Sequence, residues 1–377
     1  MKKITLSLIV TLLFTAAQAK IWRINNDVSK GADFNALQAA NDAVVVLNGD
    51  TFHIEPSSNP YAGVNFSKAL IIIGNGYFLG GTGSNAGLQQ NVNASIIGGD
   101  CNFFSSSAGA GVPNTGAGAG VGDRMMGITV TGTINIRNVS NILVTRCRVG
   151  SIQFQNYGTT AGVTGNGVNV RFNKCFISGN INTSGFTGTP SLDVTFENNI
   201  FSNTTGQGVF QLILPTTVKG LFRNNTVSEG GGFNIGLSNF YVTNNIFLFN
   251  AAMANTNVNN VYKNNIFTLA NAGNGITNGV DGNVTGVAIT NIFATNPNVG
   301  TGDSRFQLLA GAANPANNGG ETIGVVTTPD CGAFGATDPY RLSGIPAVPT
   351  IYTLTLPTGV ATGATSMQIS VSTRSNN

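Results

Sequence analysis

The chain repeats one short phrase. Residues 194–201 read VTFENNIF, 220–227 GLFRNNTV, 240–247 FYVTNNIF and 260–267 NVYKNNIF. Apolar residues alternate, two asparagines follow, and apolar residues resume. The second asparagine falls at Asn199, Asn225, Asn245 and Asn265, at intervals of 26, 20 and 20 residues. A fixed period in this range is the mark of a stacked-repeat architecture. Period-two alternation predicts strands with one buried face. Asparagine tolerates a left-handed backbone and so suits the sharp turn between two such strands. In a stack the same position recurs about every 4.8 Å. Asparagine amides, carrying both donors and acceptors, can then bond from one repeat to the next as a ladder.

Two earlier segments fit the frame with substitutions. Residues 142–149 (ILVTRCRV) put Cys147 in the ladder column, and residues 170–177 (VRFNKCFI) put Cys175 there. Cysteine packs as a small buried apolar group, so this column is expected to point inward. The preceding column holds Arg146, Lys174, Asn198, Asn224, Asn244 and Asn264. Its charges predict that it points outward.

Met1-Lys2-Lys3, an apolar run from Ile4 to Phe14, and Ala17-Gln18-Ala19 read as a secretory signal over residues 1–19, with the mature chain starting at Lys20. The run is too short for a membrane span, and no second one follows. A secreted protein is therefore expected, extracellular or on the cell surface, with the periplasm as the other destination. Charged residues are 9% of the chain, against roughly 25% in average globular proteins. Apolar residues reach 41% and net charge is +3, which argues against disorder. No dense Lys/Arg cluster supports nucleic-acid binding. Cys147 and Cys175 fall in adjacent repeats and could be buried thiols or a bridge. Cys101 and Cys331 have no evident partner, and no spacing suggests a metal site.

The remaining chain supplies the ends of the stack. Residues 33–43 have helical periodicity, with Asp33 as N-cap and Phe34, Leu37 and Ala40 on one face. A strand over 51–55 follows. Such a helix would cover the open end of a solenoid, which otherwise exposes apolar core and strand edges. Residues 69–73 and 94–97 read as early strands, with glycine-rich surface loops at 80–91 and 105–122. Regular repeats are expected to run to about Phe293. Residues 341–377 read as a proline-containing linker and a hairpin over 351–356 and 367–371, either capping the last repeat or opening a further module. Over about 280 residues this gives roughly a dozen repeats and a rod on the order of 50–60 Å long.

The segments FQLLAG (306–311), ANPANNGG (313–320) and PDCGAF (329–334) resemble the closing phrase of many secreted β-helix proteins, with Asn314 where serine is usual. With the repeats and helical entry, residues 20–340 look like the pectate-lyase-like right-handed parallel β-helix superfamily, and in particular exported Bacteroidetes-type members. The resemblance implies an all-β solenoid with a short N-terminal capping helix and a C-terminal hairpin extension. The superfamily holds lyases, hydrolases, adhesins and proteins without known activity, so fold alone does not choose among them.

Residue chemistry narrows the choice. Glycoside hydrolysis needs two carboxylates about 5 to 10 Å apart. The one near pair in the repeats, Asp193 and Glu197, is better explained by an ion pair of Glu197 with Arg223. The Asn-Thr-Asp, Gly-His-Gly and Trp-Ile-Asp-His signatures of the superfamily's enzymes are absent, as is a clustered carboxylate site for calcium. His53, the single histidine, reads as a strand residue. A metal-free lyase would use basic residues as general base and carboxylate clamp. Arg146, Arg148, Arg171 and Lys174 are the candidates, and the same residues could bind an acidic glycan. Tyr157, Tyr241 and Tyr262 are aromatic candidates for sugar stacking, with Tyr262 better placed in the core. The expected function is non-catalytic surface attachment or glycan or matrix binding, without a cofactor. The alternative is a polysaccharide lyase or hydrolase acting on an acidic glycan.

Overall fold

A computed structural model describes residues 19–80, 85, 87–104, 124–137, 139–155, 166–182, 191–203, 209–214, 219–229, 234–249, 252–253, 258–360 and 362–376. Residues 1–18 of the expected signal segment, all of the loop at 105–122, part of the loop at 80–91 and Tyr157 lie outside the described residues.

The molecule is all-β and built on two long parallel sheets. One has ten strands, in the order Ile21–Ile24, Thr51–Ile54, Ile71–Ile73, Arg124–Met126, Leu143–Thr145, Asn166–Asn173, Ser191–Glu197, Gly220–Arg223, Phe240–Thr243 and Val261–Lys263. The other has thirteen and includes Thr129–Arg137, Arg148–Gln155, Phe176–Ile177, Ile200–Asn203, Thr226–Glu229, Ile246–Leu248 and Ile266–Phe267. From Arg124 to Lys263 the chain returns to the ten-stranded sheet after every visit to the other, and it ends on the latter at Ile266–Phe267. We call each such pass a rung; the repeated phrase is the corner between its strand in the ten-stranded sheet and the strand that follows, and several rungs add a third strand, as at Ile181–Asn182, Val209–Ile213 and Asn234–Ser238. The register places Phe172, Phe196 and Phe222 on one line and Phe201, Val227, Phe247 and Phe267 on another. All are buried, and rings stack at 5.3 Å (Phe172–Phe196) and 5.0 Å (Phe247–Phe267). Offset stacking of this kind adds to the area each ring buries.

The entry helix is shorter than the periodicity predicts. It spans Leu37–Asp42, with Ala36 at its N-cap position and no side-chain cap. Asp33 instead accepts from the Arg23 N–H at 2.8 Å, and Phe34 bridges to Ile24 and packs its ring on Trp22. Strand pairing has claimed the turn that would have begun the helix. Leu37 and Ala40 do face the core. The parallel strands also end earlier than expected, at Ile266–Phe267; from there to the C-terminal hairpin the described residues hold only isolated bridges. The hairpin forms, with Thr350–Thr355 antiparallel to Ser370–Arg374. Its contacts fall on an early loop, however: the Gln90 N–H donates to the Ile351 carbonyl, and Arg374 donates to that of Leu88.

All four cysteines are free and buried. Burial pushes each thiol up, Cys175 to about 12. Cys147 Sγ points at the carbonyls of Thr145 and Met125, and Cys175 Sγ at those of Asn173 and Val144. The native protein should therefore resist a thiol reagent such as DTNB at pH 8, then release four equivalents in denaturant. Rapid native labelling of any one would contradict this packing.

Candidate functional site

The corner of each rung sorts the two asparagines. The first takes the left-handed conformation, and so do its counterparts: Arg146, Lys174, Asn198, Asn224, Asn244 and Asn264 have φ between 51° and 58°. The second turns inward. Asn199 Nδ2 donates to Asn225 Oδ1, Asn225 to Asn245, Asn245 to Asn265, and Asn265 to Asn283, each at 2.9–3.1 Å. Each amide also donates to a carbonyl of the rung before, such as Phe222 for Asn245. Every ladder oxygen further accepts the backbone N–H of its predecessor, and Cys175 N–H ends the series on Asn199. Asn283 is a member the phrase did not reveal, because its corner reads Asp281-Gly282-Asn283.

The left-handed column does not face solvent, contrary to the expectation drawn from its charges. Arg146, Lys174, Asn198, Asn224 and Asn244 are buried. What covers them is the C-terminal segment 319–345, which runs back along the stack. Asn264 donates to Gly319 O, and Asn244 exchanges bonds with Glu321. Asn224 donates to Asp330 O, and Asn198 to Ala333 O and Gly335 O. Lys174 pairs with Asp338, and Arg146 donates to Ile345 O and Asn376 O at 3.0 Å. A left-handed conformation costs most residues about 1–2 kcal/mol and asparagine less. Arg146 and Lys174 bear that cost at corners where each is held to the strap, by the Ile345 carbonyl and by Asp338.

The four basic candidates thus part company. Arg146 and Lys174 are under the strap. Arg171 is exposed on the outer face of the ten-stranded sheet and bonds Asn169. Arg148 alone lines a cleft, of about 410 Å³, with its guanidinium 4.9 Å over the Phe78 ring and Tyr77, Ser57, Asn93 and Thr129 nearby. Burial lowers the pKa of Arg148, opposed by Tyr77 and Tyr340.

Beside this cleft lies a buried polar knot. Asp303 accepts from Asn85 Nδ2 (2.7 Å), Tyr340 OH (2.9 Å) and Ser343 N–H (2.7 Å), and the Tyr340 and Tyr77 hydroxyls share a hydrogen bond at 2.5 Å. Burial raises the Asp303 carboxyl against the pull of its three donors. Both tyrosines are pushed up as well, first by burial and then by Asp303. Neither tyrosine is reachable from solvent as a base, and the knot ties the closing segment to the early loop.

The other candidates resolve simply. Glu197 and Arg223 are paired at 2.5 Å. Tyr241 is half-buried, and its hydroxyl donates to Glu321; Tyr262 is buried. His53 is an exposed strand residue at the edge of a cleft of about 650 Å³ between the hairpin and Gln89–Val92. Among the described residues no three His, Cys, Asp or Glu side chains gather as a metal-ligand set, and no helix is long and apolar enough to cross a membrane. No protein-family model matches the chain, and no curated protein matches it either.

Proposed function

We propose that this is a secreted, non-catalytic right-handed parallel β-helix of the pectate-lyase-like type, exported by a bacterium and acting in surface attachment by binding glycan or matrix. The two parallel sheets and the alternating path between them support one continuous winding, and parallel crossovers are overwhelmingly right-handed. The helix over Leu37–Asp42 would close its first rung.

The observation that carries the non-catalytic reading is the fate of Arg146 and Lys174. Both are spent on the strap, so the basic row that a lyase of acidic glycans would need is not offered to a substrate. Arg148 keeps a cleft, but its tyrosine neighbours are buried with raised pKa, which opposes a phenolate base. The test is to offer the chain from Lys20 onward to alginate, polygalacturonate, a glycosaminoglycan and uncharged polysaccharides. Binding and the absorbance of new unsaturated ends are followed together. Binding without new ends is expected. Turnover that disappears in Arg148→Ala would establish the lyase reading instead.

A further inference from the structure

The thirteen-stranded sheet carries a second column of amides, on its outer face. Register aligns Asn65 with Asn102, Asn102 with Asn135, Asn135 with Gln153, Gln153 with Asn182, and Asn182 with Gln211, before the line ends at Gly236. The flanking residues Val64, Phe66, Cys101, Phe103, Ile134, Ile136, Ile152, Phe154 and Ile181 are buried, so the amides from Asn65 to Asn182 point away from the core. Asn65 is exposed, and Asn102, Gln153 and Asn182 are half-exposed. Among these five, only Asn135 is sunk, at 3% exposure. Asn135 Nδ2 donates to Asn102 Oδ1, and Asn102 Nδ2 to Asn65 Oδ1, both at 2.8 Å.

This line differs from the buried ladder in one respect. The inner ladder exists because a buried amide must be satisfied. An outward amide has water for a partner and needs no neighbour, yet five successive rungs, from Asn65 to Asn182, place one there, and the register puts Gln211 next in line. The chain has no repeated phrase at these positions, so the repeat that built the inner ladder does not account for the outer one. The columns on either side of it carry one charge each: Asp100, Thr133 and Ser151 align on one side, with the Thr133 N–H donating to Asp100 and Asn180 bonding to the Ser151 hydroxyl, and Arg137 stands in the column on the other side.

We infer that this face binds an extended, uncharged, hydroxyl-rich polysaccharide laid along the stack; the inference rests on the glycan-binding reading above and names its ligand class. Amides suit hydroxyls because both are donor and acceptor, so either orientation of a sugar hydroxyl finds a partner. The rung spacing of about 4.8 Å is close to the length of one pyranose unit in an extended chain, so successive sugars would meet equivalent amides. The bonds along the column fix the amide planes beforehand, which lowers the ordering cost of binding. A chain of uronates would find Arg137 alone beside these amides, with the exposed Asp100 carboxylate on the other flank, too little to offset a row of desolvated carboxylates.

Titration calorimetry on the chain from Lys20 onward tests this, with hydroxyethylcellulose and xyloglucan as uncharged probes and polygalacturonate and alginate as acidic ones. The uncharged probes are expected to bind. Asn65→Ala and Asn102→Ala should each weaken that binding about tenfold, with circular dichroism and thermal midpoint near those of the parent. Asn65 is the exposed end of the line, so its variant serves if Asn102→Ala does not fold. Undiminished uncharged-glycan binding in the folded variants would reduce the column to scaffold, and binding of the acidic probes alone would overturn the ligand class. Either result leaves glycan binding standing. Failure of every probe to bind would sink both readings.

Discussion

Asn245→Ala should destabilise the protein by about 3–5 kcal/mol, a large effect for one substitution. Asn245 Nδ2 donates to Phe222 O and Asn265 Oδ1, and its Oδ1 accepts both the N–H and the side-chain amide of Asn225. Alanine would strand the Phe222 carbonyl and the Asn225 N–H in a site with no water access, and each orphaned group costs about 1–3 kcal/mol. The lost volume adds a cavity. Chemical denaturation followed by circular dichroism measures the loss. Asn244→Gly, one residue earlier, keeps the left-handed corner and the ladder and loses the bonds to Glu321 and to the Thr243 hydroxyl, so it should cost less. Equal losses from the two would mean that the ladder is no more than a well-packed corner.

Asp303→Ala is the second large effect, about 2–4 kcal/mol, because Tyr340 OH, Ser343 N–H and Asn85 Nδ2 all lose their acceptor in a buried site. Its pH dependence carries a sign. Burial holds the folded-state pKa above that of an unfolded carboxyl, about 4. The contribution of this group is thus fully present below about pH 4 and is lost as pH rises through the folded value. The stability gap between parent and variant should be widest in acid and narrow upward from there. Denaturation midpoints between pH 3 and 8 give the comparison. A gap that widens with pH would mean that the three donors outweigh burial.

The interior was legible because its signals are local. Alternating apolar residues mark strands whichever partner they find, and Asn-Asn marks a corner that needs a left-handed residue and then an inward amide. The outward column was misread for a specific reason. Charge at Arg146 and Lys174 suggested solvent, but a segment some 165–200 residues later in the chain brings Asp338 and the Ile345 carbonyl to meet them. A trace of that cover was present. After Asn-Asn the phrase continues Ile-Phe, and two consecutive apolar residues on a strand face opposite ways. Phe201, Phe247 and Phe267 fill the interior, while Ile200, Ile246 and Ile266 join a second apolar cluster with Phe306, Cys331, Ala333 and Tyr340. The outer amide column escaped notice because its members sit in strands with no shared phrase, and only register aligns them.

The strap has a mechanical consequence. In a stack whose rungs touch only their neighbours, stability is a sum of local terms, and either end can fray while the middle holds. Here one segment grips corners from Asn264 back to Arg146, and the Asp303 knot fastens it to the early loop at Asn85. Peeling the strap from the corner at Asn264 loosens its hold as far back as Arg146, so rungs far apart in the stack share a single fate. The protein behaves less like a pile of separable plates than like a bound book, in which no page comes loose until the spine gives way.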